Sequence, residues 1–126
     1  MKPFVASGKK GGEAKIALSV MKGFHIQANP ASMPNLISTT LILENPDGIS
    51  FGTVKYPAGK AYRLEGAANA ISTYDGTVEL RVPFEVNPSA ATGALTANGK
   101  LRFQACNDKT CFFPGTIPVT LPIEVR

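Results

Sequence analysis

The chain has 126 residues, 44% of them apolar and 17% charged, and its thirteen basic and nine acidic side chains leave a net charge of +4. That balance excludes a disordered tail, which needs low hydrophobicity and high charge, and no apolar run approaches the ~18 residues that span a bilayer. The basic residues are scattered singly apart from Lys9-Lys10, so no nucleic-acid-binding strip is formed, and one histidine excludes a multi-histidine metal centre.

Residues 1–12 read as a terminal stretch. Met1-Lys2-Pro3-Phe4 is not followed by the apolar segment of an intact signal peptide. Gly8, Gly11 and Gly12 flank lysines but do not open a helix, so they make no phosphate loop and are expected to be mobile. Ile16, Leu18 and Val20 then begin a period-two alternation, the pattern of a strand with one face on a core. Phe24 to Gln27 is a shorter strand candidate, in which His25 reads as a structural strand histidine with no acid–base partner in view. Leu36 to Leu43 is apolar and β-branched enough for a strand buried on both faces. Ile49 to Val54 and Ala70 to Tyr74 are further candidates.

The clearest run is Val78, Leu80, Val82, Phe84 and Val86, with Thr77, Glu79, Arg81 and Glu85 turned to water. Pro83 removes a ladder donor from it, which favours an edge or a bulge. Asn87 to Ala94 has room for one short turn of helix, Leu101 to Cys106 is a strand, and Val119, Leu121, Ile123 and Val125 alternate at the carboxyl end. Turn signals separate these runs at Asn29-Pro30, Asn45-Pro46-Asp47-Gly48, Pro57-Ala58-Gly59, Asp75-Gly76, Asn87-Pro88 and Asn98-Gly99. Short strands, dense turns and no helical period indicate one all-β domain, an immunoglobulin-like sandwich of seven to nine strands.

The residues with chemical potential are Cys106 and Cys111, separated by the polar segment Asn107-Asp108-Lys109-Thr110. A hairpin over those four residues sets the cysteines opposite each other, with Ala105 against Phe112 and Gln104 against Phe113. Leu101, Phe103 and Ala105 then point inward and Cys106 outward, while Phe112 falls on the core side. Because Phe112 and the run from Val119 differ in parity, the strand must break near Pro114-Gly115. Directly opposed residues are close to the short limit for a disulfide, so a bridge here closes a small, strained and exposed ring. Such bridges are the labile or catalytic ones. A structural staple gains most across a long loop, which this is not. Zinc would need two ligands beyond the cysteines, and His25 supplies only one. A redox-active pair is therefore the favoured reading, ahead of a staple and of a metal site.

The segment Leu101-Arg102-Phe103-Gln104-Ala105-Cys106, followed by Cys111-Phe112-Phe113-Pro114, resembles the active-site segment of the amino-terminal periplasmic domain of the thiol:disulfide interchange protein DsbD. The likeness extends to Gly23-Phe24-His25-Ile26 with Asn29-Pro30, to Tyr56-Pro57 and to Tyr74-Asp75-Gly76, covering about residues 13 to 126. The resemblance implies an immunoglobulin-like fold, a periplasmic or otherwise exported location, no bound cofactor and a protein-disulfide reductase activity. Reducing equivalents would pass from thioredoxin-like redox domains or proteins to exported disulfide proteins. The domain would act as a monomer, fused to or paired with a membrane electron-transfer domain. Two departures are visible. Phe113 stands where the family often has a first proline, and Arg63 to Ile71, aligned with a cap over the cysteines, contains no aromatic.

The resemblance also points to Cys111 as the cysteine joined to a partner. The residues agree, since Lys109 near it favours a thiolate while Cys106 ends a strand crowded by core residues. Phe112, Phe113, Pro114 and Gln104 are candidates for a partner-binding rim. The competing expectation is a non-catalytic binding or spacer module whose hairpin disulfide is only structural.

Overall fold

The alternation at 77–86 forms a ten-residue strand, and its inward residues Leu80, Val82, Phe84 and Val86 are all buried. In this computed structural model, which describes residues 4–6, 11–88 and 90–125, eleven strands follow one another without a helix among the described residues. They are β1 (Phe4–Ala6), β2 (Gly12–Ser19), β3 (His25–Gln27), β4 (Thr40–Leu43), β5 (Ile49–Phe51), β6 (Lys60–Tyr62), β7 (Ile71–Tyr74), β8 (Thr77–Val86), β9 (Gly93–Phe103), β10 (Ala105–Cys106) and β11 (Gly115–Val125). The expected terminal mobility falls mostly outside the described residues, but Gly12 already belongs to β2 and the backbone of β1 pairs in parallel with β11.

The strands form three sheets, ordered β1-β11-β9-β4, β2-β8-β5 and β10-β3-β7-β6. The main core draws Leu41, Ala97, Leu101, Leu121, Ile123 and Val125 from the first sheet and Ala14, Ile16, Ile49, Leu80, Val82, Phe84 and Val86 from the second. This is the expected all-β immunoglobulin-like sandwich. The third sheet has a smaller cluster of its own, Ile26, Ala28 and Tyr74, against which Leu18, Val20, Val78, Phe103 and Ala105 pack. Two of its connections to the sandwich are marked in the sequence, one leaving the sheet and one entering it. Asp75-Gly76, with Gly76 at a positive φ of 61°, turns β7 into β8. Gln104 separates β9 from β10, so the chain changes sheets there.

Several expectations are corrected. The described residues form eleven strands rather than seven to nine, because three-residue strands such as β6 show no readable alternation and Leu101 to Cys106 is divided between two sheets. The strand expected over Leu36 to Leu43 begins only at Thr40, and it is not covered on both faces: Ile42 is 44% exposed. β4 is an edge strand, and upstream of it the backbone bonds elsewhere, Ile37 N–H to Gln104 Oε1 and Thr39 N–H to the Gln27 carbonyl. Asn98-Gly99 is no turn but the middle of β9, where Gly99 pairs with both Val119 and Leu43. A Cβ on Gly99 would collide with the Ile42 carbonyl oxygen, so glycine is required here by close approach.

β8 is a central strand despite Pro83. The irregularity lies opposite, where the register slips by one residue between Phe51↔Phe84 and Lys55↔Arg81. The missing N–H therefore faces a bulge rather than a partner. Asn87 to Ala90 closes a turn through the Ala90 N–H to the Asn87 carbonyl, with β9 starting at Gly93.

Candidate functional site

Cys106 ends β10 and bridges to Cys111, the two forming an antiparallel pair with a Cα–Cα distance of 3.9 Å and a disulfide between them. The hairpin register is the expected one. Asn107 N–H donates to the Thr110 carbonyl at 2.9 Å and Phe112 N–H to the Ala105 carbonyl at 2.8 Å, which places the cysteines at a non-hydrogen-bonded position. Asn107 Oδ1 shapes the intervening loop by accepting from the backbone N–H of Lys109 and of Thr110. The strand also breaks as expected, since pairing lapses over 112–114 and resumes at Gly115.

The two sulfurs differ in their surroundings. Cys106 is completely buried and Cys111 is partly exposed. Burial of Cys106 corrects the outward orientation expected from β9. The alternation that holds through Leu101 does not carry past the sheet change at Gln104, and β10 then runs against β3, with Cys106 opposite His25. Phe112 is corrected too: it is 43% exposed and lies against Phe24, with ring centroids 6.2 Å apart, outside the main core. Phe113 is 95% exposed and Pro114 is exposed beside it. An apolar groove of about 450 Å³, lined by Leu18, Val20, Met21, Phe24, Phe103 and Ile117 among others, opens on the Phe24 side of this rim. Gln104 is occupied by the backbone, accepting from Ile37 N–H at 2.8 Å and donating to the Phe112 carbonyl at 3.0 Å, so it braces the rim from beneath. Lys109 is exposed.

Sequence reasoning missed the polar residues of β3 beside the bridge and the residues that reach them from β6 and the turn after β7. Gln27 is completely buried, and its Nε2 donates to Cys106 Sγ at 3.1 Å and to Cys111 Sγ at 3.7 Å. His25 stacks on Tyr62 with ring centroids 3.7 Å apart, and its Nε2 lies 3.6 Å from Asp75 Oδ2. The acid–base partner absent from the local sequence is thus supplied from fifty residues away. The histidine is not fully satisfied: His25 Nδ1 and Gln27 Oε1 are the buried side-chain polar atoms without a partner among the described residues. The only signal for this cluster was the pairing of two polar residues, His25 and Gln27, on one side of a short apolar strand.

The segment over residues 63–71, which the resemblance aligns with a cap, contains no aromatic. Glu65 N–H donates to the Asp108 carbonyl at 2.7 Å, tying it to the loop between the cysteines. Tyr62, just before it, is the aromatic that packs on His25. Nearby, Tyr74 donates its hydroxyl to the Pro57 carbonyl at 2.7 Å and accepts from Asn29 N–H at 3.1 Å. Burial raises its ionisation above the ordinary 10.0, against a lowering by the Asn29 hydrogen bond and with a small further rise from Tyr56.

A short hairpin disulfide between a buried and a partly exposed cysteine, carried on the small sheet of an immunoglobulin-like sandwich, defines a candidate thiol–disulfide exchange module. Comparison with family models identifies the kind: the chain belongs to the family of the amino-terminal domain of thiol:disulfide interchange protein DsbD, matched over residues 3–122. A comparison with curated proteins gave no match. No helix among the described residues is long and apolar enough to cross a membrane.

Proposed function

We propose that this domain is a protein-disulfide reductase module of the periplasm or another exported compartment, relaying reducing equivalents from a thioredoxin-like donor to exported protein disulfides. The observation that carries the reading is the asymmetry of the pair, a buried Cys106 bonded to a partly exposed Cys111. Exchange requires in-line attack on one sulfur and departure of the other. A donor thiolate attacks Cys111 Sγ, the Cys106–Cys111 bond breaks, and its electron pair leaves on Cys106. The donor's second thiolate then attacks its own sulfur in the mixed disulfide and releases Cys111, so the donor is oxidised and this pair reduced. Toward an acceptor the order reverses. The Cys111 thiolate opens the acceptor disulfide, and Cys106 closes back on Cys111 to expel the reduced acceptor.

Phe112, Phe113 and Pro114 form an apolar rim against which a partner's active-site loop can seat, held by the Gln104 hydrogen bonds. Trapping with a thioredoxin-like protein tests the assignment. Cys106→Ser should accumulate a mixed disulfide through Cys111, and Cys111→Ser should not. Trapping through Cys106 would reverse the roles, and no trapping by either variant would remove the relay in favour of a structural staple.

A further inference from the structure

Opening the bridge leaves a negative charge on a sulfur that water does not reach. Cys106 is completely buried, and burial disfavours a thiolate unless donors replace the lost hydration. Among the described residues the side-chain donor aimed at that sulfur is the Gln27 amide, with Nε2 3.1 Å from Cys106 Sγ and the more distant Cys111 Sγ at 3.7 Å. The other end of the same amide, Oε1, has no partner although it is buried. A buried amide that serves the fold normally has both ends engaged. Here the fold holds only the backbone of Gln27, through its N–H to the Gln104 carbonyl at 3.1 Å and through Thr39, whose Oγ1 donates to the Gln27 carbonyl at 2.6 Å. The side chain is left with the sulfurs as its partners.

We propose that Gln27 is a catalytic residue of the exchange, its Nε2 amide donating to Cys106 Sγ as the disulfide opens and holding the electron pair that arrives there. A disulfide sulfur is a weak acceptor, whereas a thiolate makes a charge-assisted bond roughly twice as strong as a neutral one. The interaction therefore strengthens along the reaction, which is the condition for lowering a barrier. The charged or titratable groups near the pair include His25 across the strand with Tyr62 stacked on it, Asp75 and Lys60 beyond, and Glu65, Asp108 and Lys109 around the loop; none has a hydrogen bond to either sulfur among the described residues. The inference rests on the exchange reading but concerns the chemistry of the pair itself, so a small dithiol can test it.

The rate at which dithiothreitol opens the bridge should be measured by quenched alkylation for the native chain, Gln27→Met and Thr39→Val. Gln27→Met keeps the volume and removes the donor. It should slow reduction about tenfold, the size of one charge-assisted hydrogen bond. In a Cys111→Ser background it should also raise the pH at which Cys106 forms its thiolate absorption by about one. Thr39→Val loosens the same strand without touching the amide and should reduce at the native rate. A Gln27→Met rate within twofold of native, or equal slowing by Thr39→Val, overturns the proposal.

If Gln27→Met does not fold, the native chain still decides. The 15N side-chain resonances of Gln27 in the reduced protein should move with Cys106 ionisation, and their failure to move overturns the role. Normal opening by dithiothreitol with no engagement of thioredoxin-like proteins would instead defeat the relay and leave Gln27 standing.

Discussion

Between the two large sheets every buried member of the core cluster is apolar, from Ala14 and Ile16 to Leu121, Ile123 and Val125. Around the cysteine-bearing sheet the situation is reversed. Its apolar cluster has three buried members, and the buried polar residues Gln27, Thr39 and Thr73 all lie on or beside it. The first region is held by area removed from water, which is strong and indifferent to direction. The second is held by directed hydrogen bonds, each worth little net but specific in geometry. The difference divides the molecule into an apolar sandwich and a small sheet whose buried polar side chains lie beside the disulfide.

The largest expected effect lies in the sandwich. Leu80→Ala, at a fully buried position, should cost about 2–5 kcal/mol in denaturant unfolding. Thr73→Val in the small sheet, which loses only a 3.4 Å bond to the Lys60 carbonyl, should cost no more than about 1.5 kcal/mol. Equal costs would erase the contrast. Next comes Gly99→Ala, which forces a methyl onto the Ile42 carbonyl and should cost about 1–3 kcal/mol by the same assay.

Opening the bridge should be milder. The disulfide joins cysteines five residues apart, so reduction should cost about 1–2 kcal/mol and leave a cooperative thermal transition. Loss of cooperativity would make the pair a staple. The smallest effect is alkaline. Tyr74 ionises at higher pH in the folded chain than the ordinary 10.0, so its contribution is complete below that value. It is lost as pH rises through the raised one, because the folded state holds the proton more tightly. Tyr74→Phe should flatten that part of the stability profile.

The same contrast explains what could be read before the structure. Period-two alternation reports burial on one face, so β8 and the end of β11 were legible to the residue. The hairpin register followed from the polar loop between two cysteines and held. Alternation fails where a strand changes sheets, and Gln104 is such a place; Cys106 and Phe112 were therefore assigned to the wrong sides. Glycine was misread at Gly99 because a turn and a close backbone approach call for the same residue. Gln27, His25 and Asp75 could not be joined from the chain alone, since β3 meets β7 and β10 only through pairings of about fifty and eighty residues' separation.

The proposed relay requires Cys106–Cys111 to be an exchanging pair on a stable sandwich. Its most direct test is the reduction potential of that pair, titrated against glutathione. An exchanging pair should titrate in the range of exchange proteins, between about −270 and −120 mV. A potential below about −300 mV, where structural disulfides lie, would contradict it.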